Sequence, residues 1–124
     1  MGSILVLDKV ADAARLVKRV LEAAGHEVFA FSKEIEALRF LEEHEVDLAI
    51  LDPPLRQGNR QDALKTIRNR LPAMPVMILT GSPTIKTARE AKAMGVEYYH
   101  TKPMENEDLL ETVTSLLEPG PGDL

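Results

Sequence analysis

Three short runs along the chain are apolar at every position: Ile4-Leu5-Val6-Leu7, Leu48-Ala49-Ile50-Leu51 and Val76-Met77-Ile78-Leu79. Unbroken runs of this length suit parallel strands covered by helices on both faces, whereas a sheet with one wet face alternates. Two further extended segments, Glu27 to Phe31 and Val96 to Thr101, mix aromatic, β-branched and polar residues, as sheet edges do. Between these segments the apolar period becomes helical. The first helical stretch places Ala13, Leu16, Val17, Val20, Leu21 and Ala24 on one face and stops at Gly25. The second follows Ser32 as N-cap and carries Ile35, Leu38 and Leu41. The third uses Ala63, Leu64, Ile67 and Leu71 and is closed by Pro72. The fourth opens with Ser82-Pro83 as cap and first-turn proline, then runs through Ile85, Ala88 and Ala91 to Gly95. The last uses Leu109, Leu110, Val113, Leu116 and Leu117 and dissolves into Pro119-Gly120-Pro121-Gly122.

Strand and helix therefore alternate five times, which selects an α/β fold: a doubly wound parallel sheet with right-handed crossovers and helices on both faces. Three apolar strands take central positions and the second and fifth take the edges. Orders 2-1-3-4-5 and 2-3-1-4-5 both satisfy that test; the first is the common doubly wound order. At 124 residues and 44% hydrophobic, the chain has material for one core. Residues 1–118 are expected to form that domain, with 119–124 a flexible tail or the start of a linker.

Composition then removes whole classes of function. There is no cysteine, so disulfides and thiolate metal sites are excluded. His26, His44 and His100 have no metal-ligand spacing and are expected at the surface, while the five methionines read as core filler. No stretch approaches the ~20 apolar residues that span a bilayer. Asp8 interrupts the first apolar run, so no secretory signal is expected, and a cytoplasmic protein away from membranes is expected. The net charge of −5, with both signs mixed along the chain, argues against direct nucleic-acid binding.

In open parallel sheets the chemistry sits beyond the carboxyl ends of the strands. The residues leaving the strands there are Asp8, Asp52, Thr80 and Lys102. An Asp at a strand end also serves as turn former or helix cap, and Asp8 or Asp12 would each suit the first helix in that role. Two carboxylates, a hydroxyl and an ammonium nevertheless converge without any catalytic pattern being assumed.

At these residues the chain resembles the response-regulator receiver family of two-component signalling, with its flavodoxin-like fold of strand order 2-1-3-4-5. The matching segments are ILVLD at 4–8, DLAILD at 47–52, PVMILTG at 75–81 and GVEYYHTKP at 95–103. The resemblance implies that Asp52 accepts a phosphoryl group from a histidine kinase, a phosphotransfer protein or a small phosphodonor. Lys102 would pair with phosphoryl oxygens, Thr80 would donate its hydroxyl to another, and Gly81 would leave room beside the acceptor. Tyr99 matches the aromatic switch position that follows Thr80, and the Lys102–Pro103 peptide is implied to be cis. The output would be a protein-binding face read by a downstream effector protein or domain. No enzymatic activity is implied beyond self-phosphorylation and autodephosphorylation.

The family pattern implies Mg²⁺ held by Asp8, Asp52, a second acid beside Asp8 and the Pro54 carbonyl, but that second position here is Lys9. A unit charge pair ~4 Å apart is worth roughly 4 kcal/mol at an effective dielectric of 20. Exchanging an acid for a lysine should therefore weaken Mg²⁺ strongly. After Asp52 the usual proline and glycine are replaced by Arg56 and Arg60, Pro53-Pro54 stiffens the loop, and Gly58 supplies flexibility from a shifted position. These departures open an alternative: a phosphorylation-independent pseudo-receiver in which Lys9 pairs with Asp52 and holds one conformation for protein binding. A flavin or nucleotide carrier on the same fold is disfavoured, since Lys9-Val10-Ala11-Asp12 is no phosphate loop and no glycine-rich nucleotide motif appears.

Overall fold

The computed structural model describes residues 2–52 and 63–118. The elements are β1 (Ser3–Asp8), α1 (Ala11–Ala23), β2 (Glu27–Phe31), α2 (Glu34–Glu43), β3 (Leu48–Asp52), α3 (Ala63–Arg70), β4 (Val76–Thr80), α4 (Ile85–Ala93), β5 (Tyr98–Thr101) and α5 (Asn106–Leu117). Five parallel strands form one sheet in the order 2-1-3-4-5, with the two mixed-composition strands at its edges. No helix among the described residues is long and apolar enough to cross a membrane.

The two-residue period of a strand divides the core between the faces of the sheet. Ile4, Val6, Leu48, Ile50, Met77 and Leu79 pack with Ala14 and Leu21 of α1 and with Leu109 and Val113 of α5. Leu5, Leu7, Ala49, Leu51, Val76 and Ile78 pack with Ala37 of α2, Ala63, Leu64 and Ile67 of α3, and Ala91 of α4. Continuous apolar runs thus serve two cores at once. Gly25 and Gly95, with φ of 98° and 69°, occupy the left-handed conformation that ends α1 and α4 cheaply.

Several helical details differ from the sequence-based expectation. Leu16 and Ile35 are 59% and 56% exposed, while Ala14 and Ala37 take the inward positions. A small side chain lets a helix lie close to the sheet, and the stripe centres there rather than on the largest residues. Ala24 lies exposed past the end of α1. Ser32 does not cap α2, whose N-cap is Lys33 without a side-chain bond. Ser82 and Pro83 precede α4, and Thr84 is its cap. Thr84 and Thr87 bond each other's backbone N–H groups, satisfying two donors together, whereas the Ser82 N–H is already held by Thr80. Ile85, expected inward, is 75% exposed. His26 and His100 are partly buried; His26 Nδ1 accepts from the Gly2 N–H at 3.2 Å and His100 stacks on Tyr98.

Candidate functional site

Register and side-chain alternation bring the two acids together. Asp8 extends the row Ile4–Val6 and Asp52 extends the row Leu48–Ile50, and the two residues pair directly across β1 and β3. Their carboxylates are thereby neighbours on the α1/α5 side of the sheet, at the carboxyl ends of its central strands. Lys102 arrives from the edge. Its N–H donates to the Thr80 carbonyl at 2.8 Å, so pairing with β4 continues past the end of β5. From there its side chain crosses the end of β4 to reach both acids.

Gly81 stands where that path passes. The nearest atom to a Cβ built there is Lys102 Cδ at 3.8 Å, an ordinary contact. Alanine would fit, and a longer side chain would compete with the lysine stem for the same space. The room that Gly81 provides is therefore room for Lys102.

Lys102 Nζ donates to Asp52 Oδ2 at 2.9 Å and to Asp8 Oδ2. Asp8 Oδ1 accepts the Val10 N–H at 2.9 Å, a local turn that orients the carboxylate. Side-chain exposure is 6% for Asp8, 17% for Asp52 and 27% for Lys102, so these charges are only partly screened by water. Asp12, the other candidate cap, instead pairs with Arg15 at the surface, and α1 has no side-chain cap bond.

Burial would lower the Lys102 pKa. Its hydrogen bonds to Asp8 and Asp52, with the charges of both acids, more than offset burial and raise it above the ordinary 10.5. A raised folded-state pKa contributes stability that is fully present below the unfolded value and lost as pH climbs through the folded one. Urea unfolding should therefore show a constant gap between the wild-type chain and Lys102→Met through neutral pH. Above pH 10.5 that gap should close. A gap unchanged at strongly alkaline pH would contradict the pairing.

Thr80 is buried and stands on the opposite row, after Val76 and Ile78. Its Oγ1 accepts the Ser82 N–H at 3.1 Å. Thr80 is thus at the rim of the carboxylate–ammonium cluster, not within its bonded network. Tyr99 lies diagonally from Thr80 on the same face, since Thr80 pairs with Thr101 and Ile78 with Tyr99. The Tyr99 hydroxyl is 3.3 Å from Thr87 Oγ1 on α4. Sequence reasoning missed Thr87; its signal was the Thr84-x-x-Thr87 spacing of a capping box. The Lys102–Pro103 peptide is cis.

Lys9 is exposed and makes no ion pair among the described residues. The expectation that it pairs with Asp52 is corrected: Lys102 supplies the ammonium, because the row that carries Asp8 and Asp52 faces it, while Lys9 projects from the neighbouring position. Pro54, Arg56, Gly58 and Arg60 lie outside the described residues.

Mg²⁺ is the ion that the resemblance implies for this site. Asp8 Oδ1 is taken by a backbone N–H, one oxygen of each acid is taken by Lys102, and the adjoining position is a lysine. No group of three acidic, His or Cys side chains among the described residues is arranged to hold a metal. Mg²⁺ demands oxygen ligands in near-octahedral array, and a neighbouring ammonium opposes it. The described residues do not fit Mg²⁺.

Comparison with known proteins identifies the class. The chain belongs to the response regulator receiver domain family, whose model matches residues 4–114. It is the receiver domain of a two-component response regulator. A putative NtrX-like response regulator of Rickettsia bellii is 34% identical over 110 residues, covering 86% of this chain and 23% of that protein. The DNA-binding transcriptional regulator NtrC of a Bradyrhizobium species is 30% identical over 119 residues, 95% of this chain and 25% of its own length. Among solved structures, a CheY-like receiver domain protein from Methanospirillum hungatei superposes with a TM-score of 0.85 at 25% identity, covering 94% of both chains. NtrX from Brucella abortus, solved with ADP, gives 0.83 at 30% identity over 94% of this chain and 27% of that one. The chain spans about a quarter of the length of the NtrX-like relatives it matches.

Proposed function

We propose that Asp52 accepts a phosphoryl group from a phosphohistidine on a partner kinase or phosphotransfer protein, and that the change is read on the face formed by α4, β5 and α5. The observation that carries this reading is the ammonium of Lys102 bridging Asp8 and Asp52 at the ends of the central strands. An Asp52 oxygen attacks phosphorus, an O–P bond forms and the donor's P–N bond breaks. The electron pair stays on the imidazole nitrogen, which takes a proton from solvent. Attack brings anion to anion, so a preplaced cation is the main requirement. Lys102 meets it by passing a hydrogen bond from Asp52 to a phosphoryl oxygen.

Thr80 supports the readout. Its oxygen accepts from Ser82, which leaves its own proton free to donate to a phosphoryl oxygen. Movement of Thr80 toward the phosphoryl group opens space beside Tyr99, whose hydroxyl contact with Thr87 links that ring to the start of α4. The domain acts as phosphoacceptor with no catalytic activity beyond gaining and losing its own phosphoryl group. Residues 1–118 form this unit, with 119–124 a tail or the start of a linker.

Incubation with acetyl phosphate, followed by peptide mass mapping, tests the assignment. One hydroxylamine-labile phosphoryl group at Asp52 is expected. Incorporation at another residue, or none at all, would overturn it.

A further inference from the structure

We propose that Lys9 takes the part of the divalent cation, so that this site holds a phosphoryl group without Mg²⁺. The inference rests on Asp52 being the acceptor. Asp8 and Asp52 share one ammonium, so the cluster already carries an excess negative charge before any donor arrives. A phosphoryl group adds more, and the single charge of Lys102 cannot balance both acids and the phosphoryl oxygens together. A second cation is required, and the described oxygens are poorly arranged to recruit a metal.

Lys9 is the cation placed to serve. It follows Asp8 directly, and Asp8 is in register with Asp52. Consecutive Cα atoms lie ~3.8 Å apart and neighbouring strands ~4.8 Å apart. A flexible four-carbon stem spans that offset. Lys9 is exposed and forms no ion pair among the described residues, so turning its ammonium over the acceptor breaks no existing salt bridge there. The division of labour is then clear. Lys102 holds the two acids and gives one hydrogen bond to the phosphoryl group from within the sheet, and Lys9 closes over the remaining phosphoryl oxygens from the solvent side.

The test is an amide NMR titration of the full chain with beryllofluoride, an aspartyl-phosphate mimic, in Mg²⁺-free buffer and again with Mg²⁺. The wild-type chain should show saturable shifts at Asp52, Thr80 and Lys102 without Mg²⁺. Lys9→Met should weaken that binding roughly 10- to 100-fold, the worth of one hydrogen bond to a charged group. Lys9→Asp should bind only when Mg²⁺ is added. Both substitutions are at an exposed position, and the same spectra report whether each variant is folded. Wild-type binding that requires Mg²⁺ overturns the proposal and leaves Asp52 as acceptor. Equal Mg²⁺-free binding by wild type and Lys9→Met also overturns it, because another group would then supply the charge. Absence of binding under every condition removes the Asp52 reading along with it.

Discussion

Lys102→Met is expected to destabilise the domain by on the order of 3 kcal/mol, because it leaves two adjacent, largely buried carboxylates facing each other without a counter-charge. Methionine keeps most of the stem volume beside Gly81, so lost packing contributes little. The full cost of an orphaned buried charge is reduced by the 17% exposure of Asp52, which retains some water. The signature of the mechanism is non-additivity. Adding Asp52→Asn to Lys102→Met removes the like-charge repulsion and should restore more than half of the loss, as residues in one network do. Urea unfolding of both variants measures this directly. A single-variant loss below about 0.5 kcal/mol, the range of ordinary surface substitutions, would mean that the ammonium is not holding the acids together.

Asp52→Asn alone should behave in the opposite way. It should abolish the hydroxylamine-labile phosphoryl group, since an amide is too weak a nucleophile to attack phosphorus. Yet it should raise stability by roughly 1 kcal/mol, a common gain when a strained functional site is relaxed. Asp8 then has Lys102 to itself and keeps the Val10 N–H. Function and stability separate at this residue, whereas at Lys102 they fall together. If Asp52→Asn destabilised the fold as Lys102→Met does, Asp52 would be a structural partner of the lysine rather than an acceptor maintained at a cost.

The strands were legible because each central one is buried on both faces, and only an unbroken apolar run satisfies two cores. The edges were legible for the converse reason. Asp8 and Asp52 could be placed because they leave adjacent strands, and alternation then puts them on one face. The reach of Lys102 was harder to read. It joins residues 94 positions apart and passes over the end of a strand where Gly81 carries no side chain, a geometry that no local pattern contains. The helix faces misled in a consistent direction. Alanines 14 and 37 pack inward where larger Leu16 and Ile35 were expected, and on α4 Ala91 is buried as expected while Ile85 is not, because close approach of helix to sheet selects small side chains. Thr87 went unnoticed because its partner Tyr99 is a neighbour only once α4 lies against β5.

A phosphoryl group on Asp52 should change the state of the α4–β5–α5 face. The most direct test is the amide spectrum of the intact chain before and after phosphorylation by acetyl phosphate, with Asp52→Asn as control. Large shifts are expected at Thr80, Thr87 and Tyr99 in the wild-type chain, reversing as the phosphoryl group hydrolyses, and none in Asp52→Asn. Stoichiometric phosphorylation at Asp52 with those resonances unmoved would contradict it, because an acceptor that switches nothing is not a signalling site.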